Sequence, residues 1–280
     1  MSAAVVGLLC RTSDRSAGGV RGVETLAPLV GKRLGREPRL IGTPGEPREA
    51  RFEEDLRDSR GCLLEAGGQV EDALTGGNTP VVLAGDCSVC MTTLPAALRE
   101  RPEAKVLWLD AHGDFNTPES TPSGFLGGMA LAGACGLWET GLAEPISPGS
   151  VVLAGVRDLD PDERVLLERS EATVIGASVL ETLVAVKNAL DGAPVYVHLD
   201  VDVLDPEGAP VQDPVPGGLA ADKLFDVLEA VVEDSELVGF EVTAFDMPDD
   251  PDERDRAADL VMHVIEPLLA AVPEEAHVHD

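Results

Sequence analysis

The amino-acid sequence predicts an α/β fold of three layers, α/β/α, built on a mostly parallel sheet of eight strands. Three observations lead there. Short β-branched apolar runs recur along the 280 residues, longer segments with helical spacing separate them, and no internal repeat or long low-complexity linker breaks the alternation. Strands that alternate with helices pair in parallel and are covered on both faces.

Taken in order, the first apolar run covers residues 3–9 and the second 38–42. Apolar residues at three- and four-residue spacing then predict a helix over 53–74, followed by a strand at 80–84, a helix at 89–100 and a strand at 105–109. The run at 150–154 is the fifth strand, and Asp160-Pro161 opens the helix 160–169 with an acceptable N-cap. The remaining elements are a strand at 172–175, a helix at 180–190, strands at 195–199 and 237–240, and helices at 221–232 and 254–272. With 44% hydrophobic residues, the chain has enough apolar side chains for one domain spanning residues 1–280.

The formal net charge is -30, which repels phosphate backbones and anionic membrane surfaces, so neither nucleic acid nor membrane is an expected partner. No segment approaches the ~20 apolar residues that span a bilayer, and no basic leader is present, so a cytoplasmic protein is expected. The five cysteines, Cys10, Cys62, Cys87, Cys90 and Cys135, are scattered and are expected to be reduced thiols. The CxxC spacing of Cys87 and Cys90 has no second pair to complete a structural zinc site. His277 and His279 fall in a tail read as disordered and acidic.

The stretches richest in Gly, Pro and Asp, at 86–88, 111–128, 201–218 and 242–252, each follow a predicted strand. In open α/β sheets the carboxyl ends of the strands form the ligand crevice, so these loops are expected to gather at one edge. After the strand 105–109 come Asp110, His112 and Asp114 at alternate positions, and after 195–199 come Asp200 and Asp202. Period-two spacing points such side chains to one side. Carboxylates packed this closely repel unless a cation compensates them, and oxygen donors with one imidazole suit Mn²⁺, with Mg²⁺, Co²⁺ or Fe²⁺ as alternatives.

The runs Asp110-Ala111-His112-Gly113-Asp114 and Asp200-Val201-Asp202-Val203-Leu204-Asp205-Pro206 resemble the two signature motifs of the ureohydrolases, the arginase and agmatinase family, and Gly85-Asp86-Cys87-Ser88 resembles a third. The resemblance implies an arginase-like fold, two divalent metal ions with Mn²⁺ expected, and a guanidino C–N bond hydrolysed by a hydroxide shared between them. Asp110 and Asp200 would bridge the ions, His112 and Asp202 would complete one, and Asp114 and Cys87 the other. Asp114 would also move the proton to the departing amine, and Glu241 would pair with the guanidinium. Asn116 and Ser123 resemble residues that grip an amino-acid carboxylate, and Asp160 the acid that receives the α-amino group. The implied partner is a small guanidino amino acid, and the implied assembly a trimer or hexamer of identical chains.

Two positions depart from the family pattern. Cys87 stands where a metal-binding histidine is usual, and Gly127 where arginases carry a histidine that shuttles protons. Both departures resemble a smaller branch that hydrolyses Nω-hydroxy-L-arginine to L-ornithine and hydroxyurea. The alternatives are an arginase, agmatinase or guanidinobutyrase that releases urea, a deacetylase-like zinc hydrolase with one metal, and a guanidine-binding protein without turnover.

Overall fold

The computed structural model describes residues 2–176, 179–207 and 209–273; the histidines of the tail, His277 and His279, lie outside the described residues. Eight strands form one sheet: β1 (Ala3–Leu8), β2 (Arg39–Ile41), β3 (Thr79–Leu83), β4 (Lys105–Leu109), β5 (Val151–Val156), β6 (Thr173–Gly176), β7 (Val195–Asp200) and β8 (Leu237–Thr243). Their order is β2-β1-β3-β8-β7-β4-β5-β6, and every neighbouring pair is parallel. The central strands are buried on both faces, which is why their sequences are continuous apolar runs rather than alternating ones.

Helices cover both faces. One apolar layer packs α1 (Gly18–Leu34), α6 (Val179–Leu190), α7 (Ala221–Asp234) and α8 (Pro251–Ala271) on the sheet. The other packs α2 (Phe52–Thr75), α3 (Cys90–Glu100), α4 (Ala130–Ala134) and α5 (Pro161–Arg169). Alternate residues of one strand serve opposite layers, as with Val81 and Leu83 on one side and Val82 on the other. The predicted three-layer architecture is therefore the observed one. No helix among the described residues is long and apolar enough to cross a membrane.

Helix ends follow the local chemistry. Asp160 caps α5 with Pro161 behind it, and the backbone N–H of Asp160 donates to Oε2 of Glu163 at 3.0 Å. Asp250 accepts from the N–H groups of Asp252 and Glu253 at 3.0 and 3.1 Å and starts α8. α1 is a helix the sequence pattern does not single out, because it contains several glycines and Pro28. Its glycines are set by close packing: a Cβ on Gly22 would stand 2.0 Å from the ring of Phe245.

The cysteine expectation needs one correction. Cys10 and Cys62 form a disulfide across a sequence separation of 52, joining the end of β1 to α2. Spacing along the chain cannot reveal a pairing that tertiary proximity creates, here between Cα atoms 6.6 Å apart. The adjacent Arg11 reinforces the same junction, reaching Oδ1 of Asp55 on α2 at 2.6 Å. Cys87, Cys90 and Cys135 are free and buried.

Candidate metal centre

Four adjacent strands, β3, β8, β7 and β4, end at the same level. Leu83 and Leu199 both stand opposite Val242, and Leu109 stands opposite Leu199, so the residues that follow emerge side by side. Asp110 follows β4, and Asp200 is the last residue of β7. A short 3₁₀ turn at Val201–Val203 folds Asp202 back over Asp200, whose Oδ1 accepts the N–H of Asp202 at 2.7 Å.

The carboxylates are held by donors from their own strand ends and from the neighbouring one. Trp108 Nε1 donates to Oδ2 of Asp110 at 3.0 Å, and the N–H of His112 donates to Oδ1 at 2.6 Å. The N–H of Ala111 donates to Oδ1 of Asp202 at 3.0 Å, while His112 Nδ1 lies 2.8 Å from Oδ2 of Asp202 and 3.5 Å from Oδ1 of Asp110. Asp110, His112 and Asp202 thus offer ligand atoms all within 4.8 Å of one another. Cys87, set in the turn after β3, donates its thiol to Oδ2 of Asp200 at 2.9 Å. Asp114 joins the same cluster with a left-handed backbone, φ 47°, and Ala244, which lines the cavity, has φ 57°. A non-glycine residue held there stores strain of about 1–3 kcal/mol, a pattern concentrated at functional sites.

Electrostatics set the demand for a cation. Burial and then the charge of Asp202 push the Asp110 carboxyl up to about 7. Burial and neighbouring carboxylates raise Asp114 and Asp200 well above the ordinary range. Burial alone would lower His112, but its hydrogen bonds and charge pairing with Asp110 and Asp202 outweigh that and raise it. Burial works to raise Asp202 as well, and His112 overrides it, so that carboxyl lies below its usual value. The Cys87 thiol is pushed up by burial first and then by Asp200. Several buried anions in contact are stable only with compensating positive charge, and the donor set of carboxylates, imidazole and thiol fits divalent metal ions.

The cluster floors a cavity of about 370 Å³. Cys87, His112, Asp114, Asp200 and Asp202 line its inner wall, and Asp110 lies beneath them, fully buried. Asn116, Ser123 and Asp160 line the outer part, with Asn116 Nδ2 donating to Oδ2 of Asp160 at 3.0 Å. Sequence reasoning missed Arg15, Phe125, Asp158, Glu163 and Asp213, which also line the cavity. They lie on separate loops and on the first turn of α5, carry no ligand-type spacing of their own, and are brought here by the topology. At Gly127, a Cβ would stand 2.6 Å from Cε1 of Phe125 and 2.9 Å from Oδ2 of Asp86, so the phenyl ring occupies the room a side chain would need.

Glu241, expected to pair with the guanidinium at the end of the last strand, does not line this cavity. The strand extends to Thr243, so Glu241 lies within β8 rather than at its end. It is fully buried, accepting from Thr93 Oγ1 at 2.6 Å and from Tyr196 at 3.3 Å, with His198 Nδ1 2.6 Å from its Oε1. His198 in turn stacks on Trp108 with ring centroids 3.5 Å apart. A histidine within an otherwise apolar run was the available signal for this buried network beneath the metal-type residues. Ala244 takes the strand-end position that faces the cavity.

Arg157 clamps the site from outside. Its guanidinium donates to the carbonyls of Gly155, Asp202, Val203, Leu204 and Val215 at 2.7–3.3 Å, tying β5 to the loop that carries Asp202. Charged donors to neutral acceptors contribute ~1.5–3 kcal/mol each, and orphaned half-buried carbonyls are costly. The Arg157→Met substitution is expected to lower stability by ~3 kcal/mol in urea unfolding; a loss under ~0.5 kcal/mol would mean that water replaces the clamp without cost.

The model of the Arginase family matches residues 52–270. The chain is 35% identical over 261 residues to the N(omega)-hydroxy-L-arginine amidinohydrolase of Streptomyces lavendulae, covering 93% of this chain and 95% of that protein. It is 37% identical over 167 residues to the arginase of Bacillus caldovelox, 54% of this chain and 55% of that one. The solved structure of the Bacillus caldovelox arginase superposes with a TM-score of 0.80 at 26% identity, covering 94% of this chain and 97% of that one. That of Bacillus subtilis gives 0.82 at 25% identity, with 96% and 98% covered.

Proposed function

The chain belongs to the arginase family, and from that premise we propose that it hydrolyses Nω-hydroxy-L-arginine to L-ornithine and hydroxyurea. The observation that carries the proposal is Cys87, whose thiol lies 2.9 Å from Asp200 in the wall of the cavity where the family pattern has an imidazole. The Streptomyces relative named for the same activity is similar over nearly its whole length, which supports the reading.

In this proposal Asp110, Asp200, His112, Asp202, Cys87 and Asp114 would hold two divalent ions, with Mn²⁺ preferred. When bound, such ions act as Lewis acids that bring the pKa of water toward neutrality. The protein's own residues do the rest. Asp114, fixed by its left-handed backbone, holds a proton at a carboxylate oxygen and delivers it to the departing nitrogen of ornithine. Asn116 and Ser123 orient the amino-acid end, and Asp160 receives the α-ammonium. The substrate's N-hydroxyl withdraws electrons and lowers the basicity of the guanidine, so more of it is neutral and open to attack. That compensates for a softer ligand at Cys87 and for the missing side chain at Gly127.

Side-by-side turnover of Nω-hydroxy-L-arginine, L-arginine and agmatine by Mn²⁺-loaded protein tests this. The hydroxylated substrate is expected to be favoured by ~10²–10⁴-fold, the range of a missing acid–base group. Plain arginine is the second reading, favoured by the several similar arginases, and equal rates on arginine would put it first.

A further inference from the structure

We infer that Arg15 is the residue that receives the substrate's α-carboxylate, carried into the cavity mouth on the ring of Phe125, for which Gly127 leaves the room. The inference deepens the amino-acid reading above and rests on it.

The cavity is strongly one-sided in charge. Eight carboxylates line it, and Arg15 is the one lysine or arginine among the described residues that does. A guanidino amino acid brings two cationic groups and one carboxylate. The acids and the metal end suit the cations, but an anion entering such a wall is repelled unless a cation is placed for it.

Arg15 is placed. Its Cζ lies 4.2 Å from the centroid of the Phe125 ring, and the carboxyl of Asp213 on the same cavity wall feels its charge without a close ion pair between them. A guanidinium held over an aromatic ring can still offer N–H groups to a carboxylate, which it grips with two parallel hydrogen bonds. The backbone before it is pinned: Arg11 Nε donates to the carbonyl of Asp14 at 2.9 Å, and the N–H of Thr12 donates to Oδ2 of Asp14 at 3.1 Å, with residues 12–14 buried. The ring depends on Gly127 for its place, since a side chain there would meet it at 2.6 Å and displace it. The glycine at 127 and the cation at the mouth are therefore two sides of one arrangement. On the same wall Ser123 and Asn116 supply polar groups beside the carboxylate, and Asp160 and Glu163 stand ready for the ammonium.

L-Ornithine and 1,4-diaminobutane differ only in the carboxylate, so their affinities isolate its contact. Titration calorimetry on Mn²⁺-loaded protein is expected to show Arg15→Gln weakening L-ornithine by ~10–30-fold, the range for a charge-assisted contact reduced by solvent exposure, with 1,4-diaminobutane changed by less than ~2-fold. Phe125→Leu is expected to act in the same direction with a smaller effect, because the arginine remains but loses its platform. The KM for the guanidino amino acid should rise in step in Arg15→Gln, with kcat nearly constant. Equal weakening of both ligands, or no weakening of L-ornithine, in a protein that still turns over its substrate overturns this inference alone. A wild-type protein that neither binds L-ornithine nor cleaves any guanidino amino acid overturns the reading above and this inference with it.

Discussion

Replacing Asp110 by asparagine is expected to lower turnover by at least ~10³-fold and to remove at least one metal ion per chain, the scale of effect expected when a metal-activated nucleophile is lost. Asp110 is the residue common to both groups of ligand-type atoms, one with Cys87 and His198 and the other with His112 and Asp202. It is fully buried and held by Trp108 Nε1 and the N–H of His112. Asparagine keeps the size and can still accept one of those bonds, so the fold should survive. Metal content by elemental analysis and circular dichroism separate the cases. Full metal loading with unchanged turnover would remove Asp110 from the centre.

Metal removal is expected to destabilise the protein far more at pH 8 than at pH 5.5. The sign follows from the raised carboxyls. Asp110 titrates at about 7 in the metal-free fold against an ordinary 3.8, and Asp114 and Asp200 are raised as well. A carboxyl raised by folding binds its proton more tightly in the fold than in the unfolded chain. Its favourable contribution is complete below the unfolded value and is lost as pH climbs through the folded one. For Asp110 alone the part of this loss that falls between pH 5.5 and pH 8 corresponds to on the order of 2 kcal/mol, or a Tm difference on the order of 5 °C. A bound cation removes the repulsion and itself competes with those protons, so affinity also rises with pH. Asp14, held at about 7 by burial and Asp86, is buried in both states and cancels in the comparison. Thermal melts with and without chelator at the two pH values provide the check. A chelator effect equal at both, or larger at pH 5.5, would contradict this electrostatic account. Metal-free Asp110→Asn should likewise be more stable than its parent at pH 8.

The sheet was legible because each strand is a short apolar run buried on two faces, and the predicted runs match the observed strands to within a residue or a few. The carboxylates were legible because alternate spacing at a strand end is a local property. What failed was non-local. α1 hides among glycines that exist for contact with Phe245, the Cys10–Cys62 bond depends on tertiary proximity, and Glu241 was misplaced because β8 runs three residues further than its apolar pattern. Arg15 and Phe125 carry no signal of their own, since their meeting depends on two loops more than a hundred residues apart in sequence.

The position of β8 has a consequence for how the molecule comes into being. It is the last strand to be made, yet it lies between β3 and β7 at the middle of the sheet. During synthesis the earlier strands can gather only as two separate ribbons, β2-β1-β3 and β7-β4-β5-β6, with an open seam between them. Cys87 stands on one side of the seam and Asp110, His112, Asp200 and Asp202 on the other. A nascent chain therefore presents each half-complement of ligands without the other, and the full complement assembles only when the final strand closes the seam. Such long-range parallel pairing is slow, and the exposed edges of the two ribbons are where premature self-association would begin.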